Sequence, residues 1–160
     1  MKLLLSFLIS SSLLFAAEKL IIDAKNFETN DAKGITVFTG NVKLQMTKDK
    51  LNSQKLEIFM KPNSKGKSKK PLKYVASGNA SFEIHTNGKI YKGKGKRVIY
   101  SPKKGEYTII GDGKIKEETE GRELYGERIF INQLTGNAKV QGTNNKPVRF
   151  IIDIDNGEKK

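Results

Sequence analysis

The sequence predicts an all-β protein of antiparallel strands: a sandwich, a jelly roll or a barrel. Three observations predict it. Apolar and polar residues alternate with period two along most of the chain after residue 17. Turn-forming residues separate the alternating runs. Gly-Asn or Gly-Asp pairs recur four times with similar flanks. Period two gives each strand one apolar and one wet face, and short strands at close spacing favour closed or folded-over sheets. No segment after residue 17 holds a helical stripe.

Residues 1–17 read as a cleavable export signal. Lys2 supplies a positive start, Leu3 to Phe15 an apolar run, and Ala16-Ala17 the small residues before Glu18, so cleavage falls after Ala16 or Ala17. The run is short of the roughly 20 apolar residues that span a bilayer as a helix. Residues 18–160 then form one domain.

The first mature strand is Leu20 to Ala24. Val42, Leu44 and Met46 share a parity, as do Leu56, Ile58 and Met60. Ala80, Phe82 and Ile84 form a third set, facing away from Glu83 and His85. Tyr107, Ile109, Gly111, Gly113 and Ile115 form a fourth. Leu134, Gly136, Ala138 and Val140 follow, and the last is Val148, Phe150, Ile152 and Ile154. Asn87-Gly88 between two runs calls for a two-residue type I′ hairpin. Pro102 to Gly105 and Thr143 to Pro147 read as further turns. Lys61 to Lys73 holds six lysines and reads as a solvated loop.

The repeat is Gly40-Asn41, Gly78-Asn79, Gly111-Asp112 and Gly136-Asn137. Each of the first three copies is trailed by a second strand: Leu51 to Phe59, Tyr91 to Tyr100, and Leu124 to Ile131. Such units cannot bury an apolar face alone and must share one interior.

Composition narrows the function. The chain has 160 residues, 30 Lys+Arg against 17 Asp+Glu, a net charge of +13, one His, no Cys and no Trp. Without cysteine there is no disulfide frame, Cys-ligated metal site or thiol nucleophile. A single His, His85, leaves little for a catalytic triad or a metal site. Glu117, Glu118 and Glu120 sit beside Gly121 in a polar turn, where nothing apolar raises a pKa for acid catalysis, so they read as a solvated turn. Gly88 to Gly95 imitates a phosphate loop but lacks the Ser or Thr that would hold magnesium. The expectation is therefore no enzyme, no cofactor and no metal. The positive charge calls for an acidic partner, and export argues against nucleic acid.

Val37-Phe38-Thr39-Gly40-Asn41-Val42, preceded by Leu20-Ile21-Ile22-Asp23-Ala24 and followed by Leu51-Asn52-Ser53-Gln54-Lys55-Leu56, resembles the OstA-like domain of the LptA family. The resemblance runs from about Lys19 to Ile154. It implies an antiparallel open β-jelly roll built from OstA-like repeats, and a periplasmic protein that carries lipopolysaccharide between the membranes. The implied partners are the lipid A part of lipopolysaccharide, an LptC-like inner-membrane protein and an LptD-like outer-membrane protein. Modules of the family stack end to end, so a head-to-tail homo-oligomer is expected.

An acyl chain of about 12 methylenes costs on the order of 10 kcal/mol to hold in water, so a carrier needs a continuous apolar cover. A period-two sheet curled over its apolar face provides one. The expected groove lining is Val42, Leu44, Leu56, Ile58, Phe82, Ile84, Ile109, Ile115, Ala138, Val140 and Phe150. Lys65, Lys67, Lys69 and Lys70 are the expected contacts for anionic head groups. The terminal strands, Leu20 to Ala24 and Phe150 to Ile154, contain neither Pro nor Lys and read as edges open to pairing. The rival reading is an exported β-repeat structural or adhesion protein that binds anionic polymers through its basic surface and has a filled, dry core.

Overall fold

The computed structural model describes residues 18–62 and 71–155. Residues 1–17, which read as an export signal, the expected head-group contacts Lys65, Lys67, Lys69 and Lys70, and the tail from residue 156 lie outside them. Among the described residues there are ten strands and no helix. They are β1 (Leu20–Asp23), β2 (Asn26–Asn30), β3 (Ile35–Met46), β4 (Asp49–Phe59), β5 (Lys73–Thr86), β6 (Lys89–Ser101), β7 (Glu106–Glu117), β8 (Arg122–Asn132), β9 (Asn137–Gln141) and β10 (Arg149–Ile151). They form one antiparallel sheet in the order β1-β3-β4-β5-β6-β7-β8-β10, with β2 added to β3 and β9 to β8.

The long hairpins form where turn chemistry demands them. Asn87 and Gly88 have φ of 50° and 72°, the paired positive values of a type I′ turn, and Thr86 pairs with Lys89 across it. Pro102 to Gly105 closes β6 onto β7. Thr143 and Lys146 exchange backbone hydrogen bonds in the last turn.

The first three Gly-Asn/Asp pairs fold the sheet. Gly40-Asn41, Gly78-Asn79 and Gly111-Asp112 each place two consecutive residues at positive φ, from 46° to 84°. Glycine and asparagine or aspartate tolerate that region best. The ladder register slips at each one: between Thr39 and Val42, Ser77 and Ala80, and Ile110 and Gly113. On β3, β5 and β7 three residues separate the inward side chains across the slip, as from Phe38 to Val42. On β4, β6 and β8 only two do, as from Ser53 to Leu56. The extra residue on alternate strands is a β-bulge, which bends the strand and sharpens its twist. In register across six strands, the bulges crease the sheet into two leaves.

One leaf holds β2, the first halves of β3, β5 and β7, the second halves of β4, β6 and β8, and β9. The other holds β1, the remaining halves and β10. Val42, Leu56, Ala76, Ala80, Val98, Ile109 and Ile129 pack in the crease, each no more than 4% exposed. The result is the open β-jelly roll expected from the sequence.

Two expected strands are shorter than the parity predicted. Leu134 and Gly136 lie in the turn before β9, so the fourth Gly-Asn pair is a hairpin turn and not a bend. Gly136 alone has positive φ there, and Asn132 caps the turn by accepting from the Leu134 and Thr135 amides. At the other end β10 holds only Arg149–Ile151, and Val148, Ile152 and Ile154 are exposed outside it. The loop from Gly142 to Val148 breaks the last edge where the crease passes, and β9 and β10 take one leaf each.

An apolar groove between the two leaves

Away from the crease the leaves part, and the inner face lines two open cavities. The smaller, about 250 Å³, lies towards β1 and β3. Leu20, Leu44, Met46 and Leu51 line one side of it, and Tyr74, Ala76, Val98 and Tyr100 the other. The larger, about 620 Å³, lies towards β8 to β10, between Ile115, Leu124 and Phe150 on one leaf and Ile131, Leu134 and Ala138 on the other.

Phe82, Ile84 and Tyr107 line both cavities. Phe82 belongs to one leaf and Tyr107 to the other, and their rings lie 6.2 Å apart across the groove. Gly93, paired with Phe82, leaves room for that ring: a Cβ at Gly93 would collide with it. Tyr107 stacks on Tyr100 at 4.2 Å, and Tyr100 on Tyr74 at 6.0 Å. Burial pushes the Tyr74 and Tyr107 phenols up, and the neighbouring Tyr100 adds to it, so these two phenols are neutral across the physiological range. The groove is thus a mainly apolar passage with one aromatic narrowing, and the charged groups in its walls are Asp49 and Lys50 at the smaller cavity and Glu117, Arg122 and Glu123 at the larger.

The wall of the larger cavity carries charge at its mouth. Glu117 and Arg122 pair at the ends of β7 and β8. The Glu117 side chain is only 4% exposed, which corrects the expectation of a solvated carboxylate. Its oxygens accept from the Thr119 and Glu120 amides at 2.8 and 2.9 Å, so it caps the turn between β7 and β8. Burial pushes its pKa up, but the two amides and the Lys89 charge outweigh that and hold the group ionised below the ordinary range. Arg122 reaches Glu120 at 2.9 Å, and Glu120 also takes Lys89 at 2.9 Å. These carboxylates are committed to ion pairs and backbone caps. His85 lies on the outward face, bonded to Glu83 at 2.8 Å.

The expected lining residues divide into two groups. Leu44, Phe82, Ile84, Ile115, Ala138 and Phe150 face the cavities, the last two from exposed positions at the rim. Val42, Leu56, Ile58, Ile109 and Val140 point inward but line neither cavity. Val42, Leu56 and Ile109 sit beside the crease, where the leaves touch and no space is left. Sequence reasoning missed Tyr74, Tyr100 and Tyr107. Tyr107 shares its parity with Ile109 and was within reach of the same argument. Tyr100 was not, because the parity of β6 switches at its bend with no Gly-Asn pair to mark it.

Residues 21–137 match a family described as LptA/(LptD N-terminal domain) LPS transport protein. The crystal structure of LptH from Pseudomonas aeruginosa has the same fold, with a TM-score of 0.71 at 18% identity, over 86% of this chain and 96% of that one. LptH is described as the LptA homologous periplasmic component of the conserved lipopolysaccharide transport device. Comparison with curated proteins gives no match. The match begins in β1, takes in all three creasing Gly-Asn/Asp pairs and ends at the start of β9, and on that match the chain belongs to the LptA/LptD N-terminal domain family of lipopolysaccharide transport proteins.

Proposed function

We propose that this chain works in the periplasm as a lipopolysaccharide carrier, sheltering acyl chains in the groove and bridging the inner and outer membranes. The observation that carries this is the pair of apolar cavities joined at Phe82 and Tyr107. A structural or adhesion protein would fill such an interior. Instead Leu44, Ile84, Ile115 and Leu124 are half-buried around open space. Every methylene moved from water into that space contributes roughly 0.8 kcal/mol. No ATP-binding or other energy-coupling motif is present in the sequence, so direction must come from a partner.

The free edges support the bridging role. Each end of the sheet is completed by two short strands, β1 with β2 and β9 with β10. They expose Ile21, Phe27, Phe150 and Ile151. An edge of this kind adds a strand from another chain by main-chain hydrogen bonding. We assign these edges to LptC-like and LptD-like partners and to a second copy of this chain. The sequence of residues 1–17, with Lys2, the apolar run Leu3 to Phe15 and Ala16-Ala17, reads as an export leader and supports the periplasmic location.

The test is site-specific photo-crosslinking. A crosslinker at Ile84 should trap lipopolysaccharide, and one at Glu83, the next residue on the outward face, should not. Crosslinks from Glu83 alone would overturn the groove.

A further inference from the structure

The outer face of the β1/β10 leaf carries lysines that oppose one another. Lys92 pairs in register with Lys116, and Lys94 with Lys114. Like charges placed directly opposite destabilise an antiparallel ladder, so this block weakens the fold that carries it. Lys50 extends the first row through Glu83. Carboxylates neutralise part of it: Glu118 reaches Lys92 at 3.5 Å and Lys116 at 3.8 Å, and Glu123 reaches Lys114 at 3.8 Å. Among the described residues Lys50 and Lys94 have no carboxylate at ion-pair distance. The five lysines surround a concavity of about 400 Å³, with the carboxylates Glu83 and Glu118 and the neutral Asn52 and Ser81 also in its wall, so cations outnumber anions there.

We propose that this concavity binds a phosphorylated saccharide on the face opposite the groove. Ammonium groups meet phosphate oxygens in charge-assisted hydrogen bonds, and they do so as mobile point charges that suit more than one phosphate position. Asn52 and Ser81 add the neutral donors and acceptors that sugar hydroxyls need. Stacking platforms for bases are absent from the wall, where Phe82 is the one aromatic residue and its ring is turned into the groove, so a single-stranded nucleic acid is disfavoured. The ligand can be the sugar of a glycolipid carried in the groove or a separate phosphorylated glycan, since both present phosphate esters on a sugar ring. The inference does not rest on lipid occupying the groove.

The experiment is calorimetric titration of the full chain at low salt. The probes are a deacylated, phosphate-bearing oligosaccharide from lipopolysaccharide, the same oligosaccharide dephosphorylated, and inorganic pyrophosphate. The protein is compared with the double variant Lys94→Gln/Lys114→Gln. The phosphorylated oligosaccharide should bind, and the variant should lose about tenfold or more for each charge-assisted bond removed. The dephosphorylated sugar should not bind. The variant's melting temperature should stay level, because the loss of one like-charge pair offsets the loss of Lys114's contacts with Glu123 at 3.8 Å and with the Tyr125 ring. Intact lipopolysaccharide distinguishes the sources: weaker binding to the variant assigns the sugar to the cargo, and equal binding assigns it to a separate glycan. The proposal is overturned if the oligosaccharide binds both proteins equally, if pyrophosphate binds as tightly as the oligosaccharide, or if the variant melts several degrees lower.

Discussion

Replacing Phe82 with alanine should remove the narrowing between the two cavities and leave a fold that lipid can repair. Phe82 is 8% exposed, stacks across the groove on Tyr107 and covers Gly93. Buried Phe→Ala changes cost about 3–5 kcal/mol. Here the ring borders open cavities on both sides, which places the cost near the lower end, about 3 kcal/mol. For a chain of this length that lowers the melting temperature by roughly 6–12 °C. A ligand that binds the folded state alone at about 100 times its Kd returns about 2.7 kcal/mol. Lipopolysaccharide at that ratio should therefore restore most of the loss, because its acyl chains fill the space the ring vacated. The assay is thermal unfolding of both proteins with and without lipopolysaccharide, with the deacylated oligosaccharide as control. If the lipid leaves both melting temperatures unmoved while the variant is destabilised as expected, the groove does not hold acyl chains. If Phe82→Ala melts with the parent protein, the ring does not pack between the leaves.

Three further outcomes follow from particular residues. Gly88→Ala should cost about 1 kcal/mol by denaturant melting, since nothing lies within 4 Å of its added Cβ and the penalty comes from positive φ alone. Glu117→Gln should flatten the acid limb of the stability profile: a carboxylate held below its ordinary value of 4.5 contributes stability above that pH and loses it as pH falls through the folded value, so the parent should lose stability with acid more steeply than the variant. Deleting residues 63–70, with their four lysines, should weaken lipopolysaccharide binding at low salt and leave it unchanged at high salt, because charge attraction in water is screened beyond roughly 8 Å at physiological ionic strength.

The odd-numbered long strands were legible in the sequence because they carry both signals. In β3, β5 and β7 a Gly-Asn or Gly-Asp pair marks the bend, and the apolar parity holds on each side of it. The even-numbered strands were harder. They cross the crease with two residues rather than three, so their inward parity flips, as from Leu51 and Ser53 to Leu56 and Ile58. A single-parity reading of β4 therefore gives one half of the strand. In β6 the inward positions before the bend are Tyr91, Gly93 and Gly95, which carry almost no hydrophobic signal. Their smallness is a tertiary requirement: Gly93 makes room for Phe82 and Gly95 for Ile109. Glu117 was misread because a polar turn looks solvated until the backbone amides that wrap its carboxylate are known. Leu134, Ile152 and Ile154 were overcounted as strand because parity does not reveal where pairing partners run out.

The sheet edges give the last prediction. A protein that must stay alone blunts its edges with lysine, proline or a covering loop. Here each edge is short and split at the crease, which limits indiscriminate pairing, yet β1 and β10 carry apolar side chains at their outward positions. Ile21 pairs with Gln45 and Ile151 with Glu123, on the face away from the groove, at 52% and 41% exposure. Lysine at either position leaves Leu20, Ile22 and Phe150 on the groove side untouched. Exposed changes of this kind alter folding stability by about 0.5 kcal/mol or less. The double change Ile21→Lys/Ile151→Lys should therefore keep the melting temperature and single-module lipid binding but repel a strand arriving at either edge. Head-to-tail pairing of one β1/β2 edge with the next β9/β10 edge is heterologous and does not close, so the parent should grow into longer species with concentration. Sedimentation velocity should show that growth in the parent and a monomer in the variant. Association detectable near 1 mM requires about 4.1 kcal/mol from the paired edges. A parent that stays monomeric at that concentration lacks it, and the edges then serve unlike partners only. A variant that assembles as readily as its parent would mean that the contact between copies lies elsewhere on the surface.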